Sequence, residues 1–154
     1  MPACHISRSV DCPIAELYGL IADIEAYPRF VPGWRAVAVL DRAADRMTVR
    51  QEIRLGGIRV DFVSTVRFEP PNRIEISSSS HPFSRFHLVW TLGGQGAQTR
   101  VEVAMEVAFD AVPLDLLAAR LMPRLLGRVV AAFEREARRR RLHHGADHIS
   151  GGQQ

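Results

Sequence analysis

The sequence predicts an α+β fold in which a bent antiparallel sheet of about six to seven strands wraps around one long C-terminal helix, with an apolar cavity between them. Apolar residues recur at every second position between residues 34 and 109, and at three- and four-residue spacing on either side of that stretch. The breaks within the alternating stretch are of hairpin length and rich in Gly, Pro and Asn. Hairpin connections make the sheet antiparallel, and a single long amphipathic helix must then lie across its one apolar face. A bent sheet that cannot fill its interior encloses a ligand cavity.

Residues 5–10 alternate weakly and form the first strand. Asp11 or Cys12 can cap the helix that follows, with Pro13 in its first turn. In PIAELYGLIADIEAY, Ile14, Leu17, Tyr18, Ile21 and Ile24 fall on one face. Pro28 and Pro32 then forbid a regular helix, so AYPRFVPGW, residues 26–34, reads as a loop crowded with aromatics.

Met47, Val49, Ile53 and Leu55 alternate with polar residues, and Gly56-Gly57 turns the chain into Ile58, Val60, Phe62, Val66 and Phe68. Pro70-Pro71-Asn72 leads into Ile74 and Ile76, and His81-Pro82 precedes Phe86, Leu88, Trp90 and Leu92. The GGQG turn then opens a strand through Val101, Val103, Met105, Val107 and Phe109. Helical periodicity returns after Val112-Pro113, in a stripe of Leu114, Leu117, Leu121, Leu125, Val129, Ala132 and Phe133. Pro123 lies inside that stripe, so a break is expected near residues 121–123, with the preceding half, residues 113–122, as a candidate lid. One domain over residues 1–142 and a flexible polar tail over residues 143–154 complete the division.

At 154 residues, 47% hydrophobic and 24% charged, the chain suits one soluble globular domain. All 20 basic residues are arginine, and a formal net charge of +3 is too small to argue for DNA. No run approaches the ~20 apolar residues of a membrane span, and no leader of signal-peptide type is visible, so cytoplasmic residence is expected, with peripheral contact at the inner face of the membrane. Cys4 and Cys12 lie too far apart along extended chain to pair, which suits a reducing compartment.

DIEAYPRFVPGW (residues 23–34), HPFSRFHLVWTL (81–92), TRVEVAMEVAF (99–109) and PLDLLAARLMPRLLGRVVAAFEREA (113–137) together resemble the coenzyme Q-binding family of the START-like, or polyketide cyclase/dehydrase, superfamily. The resemblance covers roughly residues 3–141. It implies a helix-grip fold and a deep hydrophobic cavity. It also implies binding of ubiquinone or a related polyprenyl lipid by a carrier or chaperone that supports respiration, with no further cofactor required. Tyr27, Pro28, Phe30, Val31, Pro32 and Trp34 carry over as the cavity entrance. In Pro32-Gly33-Trp34 the family's proline-tryptophan pair is inverted, and His81 stands where a glycine often precedes the later Pro-Phe. Aromatic polyketide cyclases share the fold and are similar at DIEAYP and HPF, and a toxin-like branch acts on ribosomal subunits. The cyclase is the first alternative and the ribosome-associating protein the second.

Strand phase puts Val49, Gln51, Ile53, Phe62, Ser64, Ile76, Ser78, Leu88, Trp90 and Met105 on the inner face, and Phe83 with Leu117, Leu121 and Leu125 of the helix is expected to join them in lining the cavity. Gln51, Ser64 and Ser78 are then the polar groups available to a quinone or polyketide oxygen, or else bond to water or backbone near a strand end. Glu52, Asp61, Glu75, Glu102 and Glu106 fall in the outward phase beside arginines, as solvated cross-strand pairs do. No inward acid or base is expected, and His81 is the weak candidate for acid-base work. His143, His144 and His148 lack a scaffold for metal, so no metal site is expected. Arg120, Arg124, Arg128 and the run Arg138, Arg139, Arg140 and Arg141 form a basic surface suited to anionic headgroups, or to ribosomal RNA as the lesser reading.

Overall fold

In the structure, a computed structural model that describes residues 3–55 and 57–151, the alternating stretch forms six strands that join an N-terminal one. The strands are β1 (Ala3–Val10), β2 (Trp34–Arg42), β3 (Arg46–Leu55), β4 (Ile58–Glu69), β5 (Arg73–Ser78), β6 (Phe83–Gln95) and β7 (Gln98–Phe109). They make one sheet in the order β1-β7-β6-β5-β4-β3-β2, every pair antiparallel. Register shifts at Trp34/Ala36 and Val39/Asp41 in β2 and at Phe83/Arg85 in β6 add local bends. This is the expected helix-grip architecture.

Helix α1 (Ile14–Ala22) starts directly after Pro13, which occupies the N-cap position without a side-chain cap bond, so neither Asp11 nor Cys12 caps it. Leu17, Leu20 and Ile21 are its buried face. The aromatic stretch is not an open loop. A 3₁₀ turn (Ile24–Ala26) runs into the one-turn helix α2 (Tyr27–Phe30). Pro28 lies in its first turn, where a missing N–H costs nothing because that donor has no intrahelical partner. Gly33 then turns the chain into β2 with φ of 88°, and a Cβ there would lie 3.0 Å from the Arg54 carbonyl oxygen, so only glycine fits.

Helix α3 (Val112–Gly151) covers the sheet and touches β1, β7, α1 and α2. It is continuous through Pro123, so the predicted break does not occur. Pro123 is solvent-exposed, which leaves the carbonyl one turn before it free to bond water. The helical backbone also passes residue 142 and reaches Gly151, because nothing after the arginine run contains proline and one glycine costs only about 1 kcal/mol. Side chains 143–150 lie outside the described residues, as do residues 152–154 and Gly56 of the predicted turn.

The buried face of α3 is rotated from the predicted one. Ala118, Met122, Leu126, Val129, Val130, Ala132, Phe133 and Ala137 are buried, whereas Leu121 and Leu125 are half-buried and Leu117 is 40% exposed. The first half of α3 is apolar on more than one ridge, so periodicity cannot choose between the 117/121/125 ridge and the adjacent 118/122/126 ridge.

Near its C-terminal end α3 buries a charge. Glu136 is 8% exposed and accepts bonds from Arg139 Nη2 at 2.6 Å and Arg140 Nε at 3.1 Å. The Arg139 bond, then the Arg140 bond, hold its carboxyl below the ordinary glutamate range against the opposing effect of burial. Because the folded-state value lies below the unfolded one, this stabilisation is present above the ordinary range and disappears as pH falls through the folded value. Glu136→Gln is expected to cost about 1 kcal/mol near neutral pH and nothing measurable in strong acid; denaturant titrations of both proteins at the two conditions check this.

Candidate functional site

Side chains from both faces of the bend meet beneath α3, and most of the space there is filled. Tyr27 is 3% exposed and donates its hydroxyl to the Ile21 carbonyl. Burial, with a smaller contribution from Asp23, pushes that phenol far above its ordinary value, so it stays neutral. Phe133 of α3 packs edge-on against Tyr27, Phe30 and Trp90 with ring centroids 5.1–5.2 Å apart. Tyr27 also packs against Trp34 at 6.1 Å. Of the residues predicted to form an entrance, Tyr27 and Val31 are thus core, while Pro28, Phe30, Pro32 and Trp34 are half-buried. None of the six lines the mouth described below.

A second aromatic group, Phe62, Phe83, Phe86 and Phe109, fills the other end. Between the two groups lies a wholly apolar void of about 40 Å³, lined by Trp34, Ile53, Phe83, Phe86, Leu88, Met105, Met122, Leu125, Leu126 and Val129. The predicted deep cavity is therefore nearly closed. Val49, Phe62, Ile76 and Trp90 face the interior as expected, but they are buried in packing and do not border the void.

The inner polar residues are partnered with each other. Trp34 Nε1–H donates to Gln51 Oε1 at 2.8 Å, and Gln51 Nε2 donates to Ser64 Oγ at 2.7 Å, with Gln51 and Ser64 both at most 3% exposed. Ser78 does not belong to this inner set. Its hydroxyl donates to the Val63 carbonyl at 2.5 Å and accepts from the Ser80 N–H at the end of β5, beside an open surface groove.

A larger pocket of about 230 Å³ opens where α3 begins. Phe109, Leu114, Leu117, Ala118, Leu121 and Met122 make its apolar wall, and Ile58, Arg59, Val60, Asp61, His81 and Pro82 make the opposite rim. Ile58 and Leu117, which are 39% and 40% exposed, place two large apolar side chains at this mouth, and Leu116, the residue before Leu117, is 68% exposed. The rim is held by Asp110, whose N–H donates to the Pro82 carbonyl at 2.9 Å and whose Oδ2 lies 3.1 Å from His81 Nδ1. The sequence had marked Leu117, Leu121 and His81. It missed Met122, hidden by the choice of helix ridge, and Asp110, which becomes a partner of His81 only through the β6–β7 pairing.

Acid-base equipment at this mouth is sparse. Arg50 holds the Asp61 carboxylate at 2.9 Å and keeps its pKa below the ordinary range, so Asp61 carries no proton to give near neutral pH. Arg59 pairs with Glu52, and Glu75 is held low first by His87, then by Arg73. Arg85–Glu106 and Arg100–Glu102 complete the outward ion pairs. Burial raises the thiols of Cys4 and Cys12, which makes them poor nucleophiles. Among the described residues no three His, Cys, Asp or Glu side chains are grouped to hold a metal ion, and those of His143, His144 and His148 lie outside them. No helix is long and apolar enough to cross a membrane among the described residues.

The arginines of α3 divide into two sets. Arg139 and Arg140 bond Glu136, and Arg141 Nη1 donates to the Asp11 carbonyl at 2.5 Å. Arg124, Arg128 and Arg135 line a surface groove of about 550 Å³ with Pro32, Gly127 and Ala131, and they make no ion pair among the described residues. Arg120 and Arg138 are likewise exposed and make none among the described residues.

Residues 10–134 match the model of the family described as polyketide cyclase/dehydrase and lipid transport. The ribosome association toxin RatA of Vibrio cholerae is 26% identical over 137 residues, covering 87% of this chain and 95% of the toxin. Among solved structures, the Zhui aromatase/cyclase from Streptomyces sp. R1128 superposes with a TM-score of 0.82 at 15% identity, over 90% of this chain and 94% of that one. An 18 kDa protein of Caulobacter crescentus does so with a TM-score of 0.76 at 27% identity, over 94% and 99%.

The buried relay has a measurable weight. Gln51→Leu removes the acceptor of the Trp34 indole and the donor to Ser64 together, and is expected to cost about 1–3 kcal/mol. Ser64→Ala added to that background should change little further, and a double-mutant cycle by denaturant unfolding checks the coupling.

Proposed function

The chain belongs to the polyketide cyclase/dehydrase and lipid transport family, and on that footing we propose that it is a non-enzymatic carrier of a hydrophobic isoprenoid, ubiquinone or a related polyprenyl lipid, in support of respiration. The observation that carries this reading is the pocket at the start of α3. Five large apolar side chains form one wall, while Arg59 and His81 on the rim can donate to the oxygens of a head group left near water. Exposed Leu117 and Ile58 at that mouth suit collection of an apolar molecule at a lipid surface. The carboxylates near the pocket are committed to arginines, which leaves His81 with Asp110 as the one pair a cyclase could use there among the described residues.

The protein purified from its own host and measured by native mass spectrometry with organic extraction is expected to carry a prenylated quinone. A protein that holds a polar aromatic compound, or emerges empty, overturns the carrier reading in favour of the cyclase, and His81→Ala then becomes the variant whose product distribution decides.

A second reading, association with the ribosome, is favoured by the groove of Arg124, Arg128 and Arg135. Three cations on one helix face without carboxylate partners among the described residues, over a floor of Pro32, Gly127 and Ala131, suit a phosphate backbone. RatA of Vibrio cholerae carries that association in its name. If this reading holds, the triple variant Arg124→Gln, Arg128→Gln, Arg135→Gln is expected to lose at least tenfold of its co-sedimentation with ribosomal subunits, while Arg139→Gln, whose arginine is already held by Glu136, retains it. Absence of co-sedimentation by the unaltered protein ends it.

A further inference from the structure

Two apolar spaces lie against α3, and one side chain belongs to the lining of both. Met122 is 5% exposed and borders both the 230 Å³ mouth and the 40 Å³ inner void. Phe109, Ala118 and Leu121 border the mouth with it; Trp34, Leu88 and Met105 border the inner void with it. Taken singly, each space is smaller than the roughly 300 Å³ at which ligand pockets begin. Among the described residues no other borders both.

We infer that Met122 is the partition that sets how far the tail of a bound lipid penetrates: the ligand's head stays in the mouth and its chain enters the inner void only when the Met122 side chain swings aside. The inference rests on the carrier reading for its ligand and on the two spaces for its geometry. The residue type suits the task, since methionine is unbranched, has three rotatable bonds and repacks at low cost, whereas a β-branched or aromatic side chain would fix the partition. The backbone beneath it is also less constrained. Pro123, the next residue, has no N–H to give to the turn before it, so the turn carrying Met122 is held by one bond fewer than an ordinary helical turn. In the lining of the void, Trp34 is fixed by its bond to Gln51. The partition therefore lies between a mouth with exposed apolar side chains and an inner void with one wall held in place.

The test compares 2,3-dimethoxy-5-methyl-1,4-benzoquinone with its 6-decyl derivative, read by quenching of tryptophan fluorescence, which Trp34 at the inner void reports. Met122→Ala is expected to tighten binding of the decyl compound at least tenfold while leaving the tail-free quinone within twofold. Met122→Trp is expected to abolish the preference for the decyl compound and leave the tail-free quinone bound. Met122→Leu, close in volume and stiffer, keeps the fold and is expected to slow exchange of the decyl compound. Equal discrimination between the two quinones by the unaltered protein and the Ala and Trp variants overturns the inference. Xenon under pressure gives a readout that needs no quinone: Met122→Ala is expected to strengthen its effect on the Leu88 and Leu125 methyl resonances, and an unchanged response in that variant also overturns the inference. Failure of both quinones to bind the unaltered protein, with the xenon response enhanced in Met122→Ala, removes ubiquinone as the ligand and leaves the partition standing.

Discussion

The contacts of Phe133 with Tyr27, Phe30 and Trp90 fix how closely the long helix lies on the sheet, and the rest of the interior follows from them. Edge-to-face rings at about 5 Å tolerate little displacement, because the favourable quadrupole geometry and the close packing are lost together. With α3 clamped at that end, the interior beneath its second half is filled. Unfilled volume is left where the helix starts, between Leu114 and Met122 on one side and the β3–β4 hairpin and the His81-Pro82 segment on the other. The site is thus placed by where packing stops.

Polar groups are distributed in keeping with that division. Inside, Trp34, Gln51 and Ser64 form a chain of bonds that meets the demand of buried donors and acceptors. Outside, carboxylates lie diagonally across from arginines on neighbouring strands, as in Arg50 with Asp61, and are held as anions. Proton transfer needs a group that can change protonation near working pH and faces the reacting molecule. Among the described residues the pocket rim places one imidazole there, that of His81, with Asp110 Oδ2 3.1 Å from its Nδ1.

The strand pattern was legible in the sequence because burial on one face of a pleated strand imposes a period of two, which nothing else in the chain imitates. Gln51 and Ser64 were placed inward on that ground and are inward. Ser78 shared their phase, yet it sits at the end of β5, where the sheet no longer encloses it and backbone takes up its hydroxyl. The aromatic-proline segment was legible as unusual, but its helical turn and its packing were not. Pro28 in the first turn of a helix looks the same in sequence as Pro28 in a loop, and only the place of Phe133 makes Tyr27 a core residue.

By itself, the sequence determined the order of the elements, the antiparallel sheet, the single covering helix and the outward charges, since each follows from periodicity and short connections between neighbours in the chain. Tertiary structure alone decided which ridge of α3 faces the sheet, that Pro123 leaves the helix unbroken, how nearly the interior closes, and which arginines remain unpaired among the described residues. Those outcomes depend on groups far apart in the chain, such as Arg141 with Asp11 or Phe133 with Trp90, whose contacts exist only once the sheet has curved and the helix has settled on it.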